Sequence, residues 1–83
     1  MYRIIVKKKA QKFIEKLPKQ EKLRIVSEIQ RLPNGEDIKP LKGHKGLYRL
    51  RIGNYRIIYT VDHGQLIVFV IDVDNRGDVY KRL

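Results

Sequence analysis

Three arginines within eight residues, Arg49, Arg51 and Arg56, are the side chains of this sequence best suited to chemistry. They fall on two runs of β-branched and aromatic residues, 47–52 and 55–61, which a Gly-Asn turn signal joins into a predicted hairpin. Because side chains alternate between the two faces of a strand, all three guanidiniums are expected on one face. They repel one another unless an anion lies between them, and their forked donors match the oxygens of a phosphate.

The charge around these arginines favours an anion site. The chain carries 19 Lys and Arg against 9 Asp and Glu, a net charge of +10, and residues 38–61 contain no acidic residue. Lys42 and Lys45 precede the hairpin in this segment and are further candidates for contact with a polyanion. A solvated sheet face, with arginine stems covering Ile58, is the alternative interpretation.

The side chains that form a protein nucleophile or a metal site are scarce. There is no cysteine, and the only serine, Ser27, falls inside a predicted helix, which argues against a serine triad. His44 and His63 lie in predicted loops far apart in sequence, so neither a metal nor another cofactor is expected. One reaction needs none of these. The 2′-hydroxyl of RNA can attack the adjacent phosphorus, and the protein then supplies geometry, positive charge and proton transfer.

The pattern of apolar residues predicts an α+β fold. The predicted strands are residues 2–7, 47–52, 55–61 and 65–73, and the predicted helices are residues 8–17 and 19–32. Pro18 separates the two helices, and residues 36–46 are predicted as a loop. The last strand is almost continuously apolar, which is typical of a strand buried on both faces. The order β-α-α-β-β-β predicts a helical hairpin packed on one face of a mainly antiparallel four-stranded sheet.

Length and composition indicate the class of protein. With 83 residues, 42% of them hydrophobic, the chain is expected to form a single domain over residues 1–83. The apolar stretch at its start is too short for a signal peptide, and no segment approaches the length that crosses a bilayer. A cytoplasmic location without a membrane partner is therefore expected.

Three motifs resemble those of RelE-type toxins in the RelE/ParE superfamily. Residues 48–59, YRLRIGNYRIIY, are similar to the central signature of that family. Residues 41–43, LKG, resemble its lead-in, and residues 75–80, NRGDVY, resemble its closing motif. The resemblance extends over essentially the whole chain and implies a toxin of a toxin–antitoxin module. It implies a ribosome-dependent endoribonuclease that cleaves messenger RNA in the ribosomal A site, and a cognate antitoxin as partner.

The resemblance also implies roles for individual residues. Arg49 and Arg51 match basic positions with proton-transfer and orienting roles, and Arg56 matches an arginine that holds phosphate. Arg76 matches an arginine that stabilises charge or protonates the leaving oxygen, and Tyr80 matches a tyrosine that orients or stacks on a base. The general base is left unassigned, because the pKa of arginine, above about 12, makes it a poor proton acceptor.

Two other functions fit the same residues. A toxin of the ParE type has the same fold and acts on DNA gyrase, and a non-catalytic RNA-binding module would use the arginines for phosphate contact alone. An antitoxin segment that combines acidic residues with an apolar helix face is expected to cover the arginine face. Leu47 and Ile58 are expected to be partly exposed there.

Overall fold

A computed structural model of the chain describes residues 1–75, which fold into two helices and a five-stranded sheet. The strands are β1 (Arg3–Val6), β2 (Ile38–Pro40), β3 (Tyr48–Ile52), β4 (Tyr55–Asp62) and β5 (Ile67–Asp74). The helices are α1 (Lys8–Glu15) and α2 (Lys19–Ile29). The predicted α+β class is confirmed, with one strand more than predicted.

The two helices form a pair around a proline. α1 buries Ala10 and Ile14, which lie four residues apart on one side of the helix. It ends before Pro18, since a proline ring disfavours the helical conformation in the residue that precedes it, and α2 begins directly after it. α2 buries Ile25 and Ile29 in the same four-residue pattern. The apolar spacing in the sequence thus predicts the buried side of α1 and the burial of Ile25 and Ile29. Leu23 and Val26 belong to the same apolar pattern of the second helix but are exposed, so the predicted inward face is wrong for these two residues.

Both helices end earlier than predicted. After Glu15 the backbone N–H of Leu17 donates to the Ile14 carbonyl at 3.1 Å, and after Ile29 the N–H of Leu32 donates to the Ile29 carbonyl at 3.0 Å. These are i to i−3 hydrogen bonds, which tighten a helix end into a turn. The apolar pattern continues through such a turn, and for this reason it overestimates the helix length.

The sheet has the strand order β1-β5-β4-β3-β2. β1 pairs with β5 in parallel, and every other neighbouring pair is antiparallel, so the prediction of a mainly antiparallel sheet is confirmed. The pair of helices forms the connection that leads from β1, at one edge of the sheet, to β2 at the other.

The additional strand, β2, corrects the prediction that residues 36–46 form a loop. Its Ile38 stands opposite Leu50 of β3. Both side chains lie close to Gly35. A Cβ added at Gly35 would be only 2.8 Å from Ile38 Cδ1 and 3.3 Å from Leu50 Cδ1. β2 has only three residues and ends in Pro40, as befits an edge strand. A strand this short has too few residues for an alternating pattern to be visible.

The hydrophobic core lies between the helix pair and one face of the sheet. From the helical half it contains Ala10, Ile14, Ile25, Ile29 and Leu32, and from the sheet Leu50, Ile52, Ile57, Tyr59, Val68, Val70 and Val73. The residues of the hairpin predicted to face inward all pack in or against this core. The alternation read from the sequence is therefore confirmed for β3 and β4.

A bulge in β5 changes its alternation. Ile58 of β4 stands opposite Asp72, but the next residue of β4, Tyr59, stands opposite Val70, so Ile71 is an extra residue in β5. The bulge lets Val70 and Val73 both reach the core although they are three residues apart. It also brings Asp74 opposite Arg56, on the face of the sheet away from the helices.

Candidate functional site

The site is built on the turn between β3 and β4. Gly53 and Asn54 form the two-residue turn, and Gly53 has a φ of +56°, which suits glycine because it lacks a Cβ. The register puts Arg51 and Arg56 directly opposite each other on either side of this turn. Their neighbours Ile52 and Ile57 are buried in the core. Because side chains alternate along a strand, the two arginines lie on the other face of the sheet. The predicted juxtaposition of Arg51 and Arg56 is confirmed.

The two arginines share an open pocket. It is lined by Arg51, Gly53, Asn54, Arg56 and Asn75, and no carboxylate belongs to this lining among the described residues. Arg51 is exposed over about half of its side chain (48%), so its guanidinium is accessible from solvent. Two guanidiniums, a side-chain amide and the backbone of a glycine turn together offer hydrogen-bond donors suited to a phosphate.

Arg49 lies on the same face but does not emerge as predicted. Its residue is only 7% exposed, and its Nη2 donates to the Asp37 Oδ1 at 2.9 Å. Ile58, which stands opposite it on β4, is completely buried, so the predicted partial exposure of Ile58 is also wrong. Leu47 is half-buried, as expected. The segment without acidic residues begins at residue 38, one position after the carboxylate that pairs with Arg49.

Asp37 contacts both arginines of β3. Its Oδ2 lies 3.8 Å from Arg51 Nε, and its backbone carbonyl accepts a hydrogen bond of 3.0 Å from the Arg51 N–H. The carboxylate is held in the position that an external anion would take between Arg49 and Arg51. An incoming anion therefore meets the arginine donors on the Arg56 side of Arg51, where the shared pocket is open. No feature of the local sequence indicates this role for Asp37, which is twelve residues from Arg49.

Lys42 and Lys45 lie away from this pocket. They belong to the exposed loop between β2 and β3, which the Leu41 N–H closes by donating to the Leu47 carbonyl at 2.9 Å. This loop is at the start of β3 and the turn is at its end, about 17 Å away for a five-residue strand. Lys42 instead lines a separate pocket near the start of β3, together with Lys39, His44 and Arg49. The structure therefore divides the predicted cationic segment into two separate groups.

The remaining predicted residues are Arg76 and Tyr80, which lie outside the described residues. Asn75, which directly precedes Arg76, lines the pocket with Arg51 and Arg56. Within residues 1–75 no group of three or more His, Asp and Glu side chains is placed to hold a metal ion.

Two tyrosines near the hairpin have altered acidity. The Tyr55 hydroxyl donates to Glu21 Oε2 of α2 at 2.9 Å, and this hydrogen bond, with a smaller effect of burial, raises the pKa of Tyr55. Burial in the core raises the pKa of Tyr59 to about 12. Both hydroxyls stay protonated at neutral pH, and the Tyr55 contact ties the start of β4 to α2.

The fold and the basic hairpin define a small α+β domain with an arginine-lined pocket, and comparison with known proteins identifies its family. A model of the family described as ParE toxin of type II toxin–antitoxin system, parDE, matches residues 4–80. The chain belongs to this family, within the RelE/ParE superfamily of toxins.

Two curated relatives that the chain resembles carry the names of RelE-type toxins. Toxin RelG of Mycobacterium tuberculosis is 38% identical over 45 residues, which cover 53% of this chain and 52% of RelG. The chain spans about half the length of the curated relatives it matches.

Among the described residues, neither helix is long and apolar enough to cross a membrane.

Solved structures of RelE toxins match over nearly the whole chain. The archaeal RelE–RelB complex of Pyrococcus horikoshii is matched with a TM-score of 0.74 and 28% identity, over 92% of this chain and 96% of that chain. The RelBE toxin–antitoxin complex of E. coli is matched with a TM-score of 0.74 and 26% identity, over 93% of this chain and 99% of that chain.

Proposed function

We propose that this protein is the toxin of a type II toxin–antitoxin module and inhibits translation as a ribosome-dependent endoribonuclease. The observation that carries the proposal is the pair Arg51 and Arg56 in a pocket without a carboxylate among the described lining residues. The likeness to RelE toxins over more than nine-tenths of the chain supports it. The proposed substrate is messenger RNA in the ribosomal A site, and the proposed location is the cytoplasm.

The proposed reaction uses the substrate's own nucleophile. The 2′-oxygen of one nucleotide forms a bond to the adjacent phosphorus, and the bond from that phosphorus to the 5′-oxygen of the next nucleotide breaks. The products are a 2′,3′-cyclic phosphate and a 5′-hydroxyl, so the 2′-hydroxyl proton leaves and the 5′-oxygen gains one. Arg51 and Arg56 would bind the phosphate and stabilise the additional negative charge of the crowded intermediate.

The other residues have supporting roles in this proposal. Arg49, buried and paired with Asp37, would position Asp37 and through it Arg51, without contacting the substrate itself. Arg76 would stabilise or protonate the leaving 5′-oxygen, and Tyr80 would orient or stack on a base, as in the family signature that residues 75–80 resemble. Lys42 and Lys45 would contact RNA away from the reacting phosphate.

The proposed partners are the ribosome and a cognate antitoxin. A net charge of +10 on a small domain favours association with ribosomal RNA through its phosphates. The similar RelE toxins of P. horikoshii and E. coli were solved in complex with RelB antitoxins. An acidic antitoxin segment would neutralise the cations of the hairpin and compete with RNA for them.

A second candidate function is inhibition of DNA gyrase, which the match to a family described as ParE toxins favours. Primer extension on messenger RNA after induction separates the two. Cleavage within codons in translated regions is expected for the wild type, and its absence in the variant Arg56→Ala. Intact messenger RNA together with linearised DNA and a DNA-damage response would instead identify a gyrase inhibitor.

A further inference from the structure

Arg24 of α2 lies against the turn that carries the candidate site. A Cβ added at Gly53 would be 3.1 Å from Arg24 Nη1, 3.4 Å from Nη2 and 3.5 Å from Cζ. Because all three distances are similar, the whole guanidinium lies over the glycine, and the contact is not limited to a single atom. The missing side chain of Gly53 therefore leaves the space in which the Arg24 guanidinium sits.

The acidic residues that would ordinarily neutralise Arg24 have other partners. On a helix the positions three before and four after Arg24 are its neighbours, and both are glutamates, Glu21 and Glu28. Glu21 accepts the hydrogen bond from Tyr55, and Glu28 pairs with Arg31 at 3.4 Å. Within the described part of the chain, no carboxylate oxygen lies within 4.0 Å of an Arg24 nitrogen. Arg24 thus retains its donors for an external anion.

Gly53 is the border between two pockets. On the α2 side, Arg24 and Arg51 line a pocket that also contains the carboxylates Glu28, Glu36 and Asp37. On the other side, Arg51 and Arg56 line the pocket in which no described residue contributes a carboxylate. An anion is therefore disfavoured deep in the pocket on the α2 side, which contains the carboxylates. It is favoured at the rim of that pocket over Gly53, where the Arg24 guanidinium lies beside the pocket of Arg51 and Arg56.

We propose that Arg24 is a further RNA-binding residue, which contacts a backbone phosphate next to the one held by Arg51 and Arg56. This inference rests on the proposed function, since it names an additional contact for the same RNA. It extends the binding surface from the hairpin across the turn onto α2. The contact is with the phosphate, so Arg24 adds affinity and register without selecting a base.

Binding of a short single-stranded RNA tests the inference without relying on cleavage. The RNA is fluorescently labelled and 2′-O-methylated so that it cannot be cut, and anisotropy gives its affinity at several salt concentrations. We expect Arg24→Gln to weaken binding about tenfold and to reduce the salt dependence by about 0.7 in log Kd per log salt, the value for one phosphate contact on a single strand. Arg24→Lys should have an intermediate affinity, because it keeps the charge and loses the flat fork.

The matched control is Lys19→Gln, which removes the same charge from an exposed position of the same helix. It should bind RNA with nearly the wild-type salt dependence, and both variants should melt like the wild type because both side chains are exposed. If Arg24→Gln binds like Lys19→Gln while Arg56→Gln has lost affinity, the inference is wrong and the proposed function stands. If Arg56→Gln also binds like the wild type, the phosphate site itself is refuted, and the inference with it.

Discussion

Asp37 and Arg49 form an ion pair in which the arginine is buried and the aspartate half-exposed. The Nη2–Oδ1 distance is 2.9 Å, and the side chains are 8% and 42% exposed, respectively. A buried guanidinium without a partner is costly, because its donors cannot all be hydrated. Asp37 therefore stabilises the fold. The same ion pair occupies Arg49, so that a phosphate cannot reach this arginine.

Asp37→Ala should lower the free energy of unfolding by about 1–3 kcal/mol, the cost of leaving a charged donor group without its partner. The half-exposed carboxylate puts the value toward the lower end. Urea denaturation measures it. The matched control is Glu36→Ala, an exposed carboxylate one residue earlier in the chain, which should change stability little. Equal midpoints for the two variants would contradict a stabilising role for the pair.

Arg56→Ala should remove activity and leave the fold intact. Its side chain lies on the face opposite the core, and loss of one donor to the developing charge typically costs about 10²–10³ in rate. Cleavage of ribosome-bound messenger RNA and the melting temperature are to be measured together. Arg3→Ala, which removes an exposed arginine from β1 at the far edge of the sheet, is the control. An Arg56→Ala protein that cleaves like the Arg3→Ala protein would remove Arg56 from the site.

Gly53→Ala should destabilise the fold and also weaken RNA binding. A side chain at φ +56° costs about 1–2 kcal/mol, and its Cβ would displace the Arg24 guanidinium. Gly43→Ala separates the two effects. Gly43 has a φ of +82° but nothing lies within 4 Å of a Cβ there, so this variant has the backbone strain alone. Urea denaturation and RNA anisotropy on both variants should show similar destabilisation, with loss of affinity only for Gly53→Ala.

The stability of the protein should fall between about pH 10 and about pH 12 through Tyr59. Its pKa is raised from 10.0 to about 12, because the ring is buried in the core beside Tyr48. A raised pKa means that the folded state holds the proton more tightly than the unfolded state. The contribution is thus complete below about pH 10 and is lost as the pH rises toward 12. Urea midpoints measured over this range should decline less steeply in Tyr59→Phe than in the wild type. Parallel curves for the two proteins would be evidence against a buried, protonated hydroxyl.

The sequence predicts the fold where a periodic pattern is long enough to be recognised. The helices and the hairpin each repeat their apolar spacing several times, so their inward faces are correct apart from Leu23 and Val26 of α2, which are exposed. β2 is missed because three residues ending in Pro40 contain no repeat. The bulge at Ile71 is also invisible in the sequence, because the strand is apolar at almost every position and either alternation fits.

The site is predictable only in part for a related reason. Arg51 and Arg56 are brought together by a two-residue turn and alternation, which are both local rules. The burial of Arg49 depends on Asp37, and the placement of Arg24 depends on how α2 packs against the turn. Both are tertiary contacts between residues more than ten positions apart, and no pattern of neighbouring residues encodes them.

The position of β5 has a consequence for biosynthesis. β5 lies between β1 and β4, so β1 has no strand to pair with until residues 67–74 have been made. Until then, the two helices also lack much of the apolar sheet face against which they pack. Contacts between such distant segments form slowly, because a long loop must close first. The arginine hairpin alone is at best marginally stable in water, and the sheet that holds it rigid is completed only when β5 joins β4 and β1. The arginine pocket therefore acquires its fixed geometry only after residues 67–74 have been synthesised.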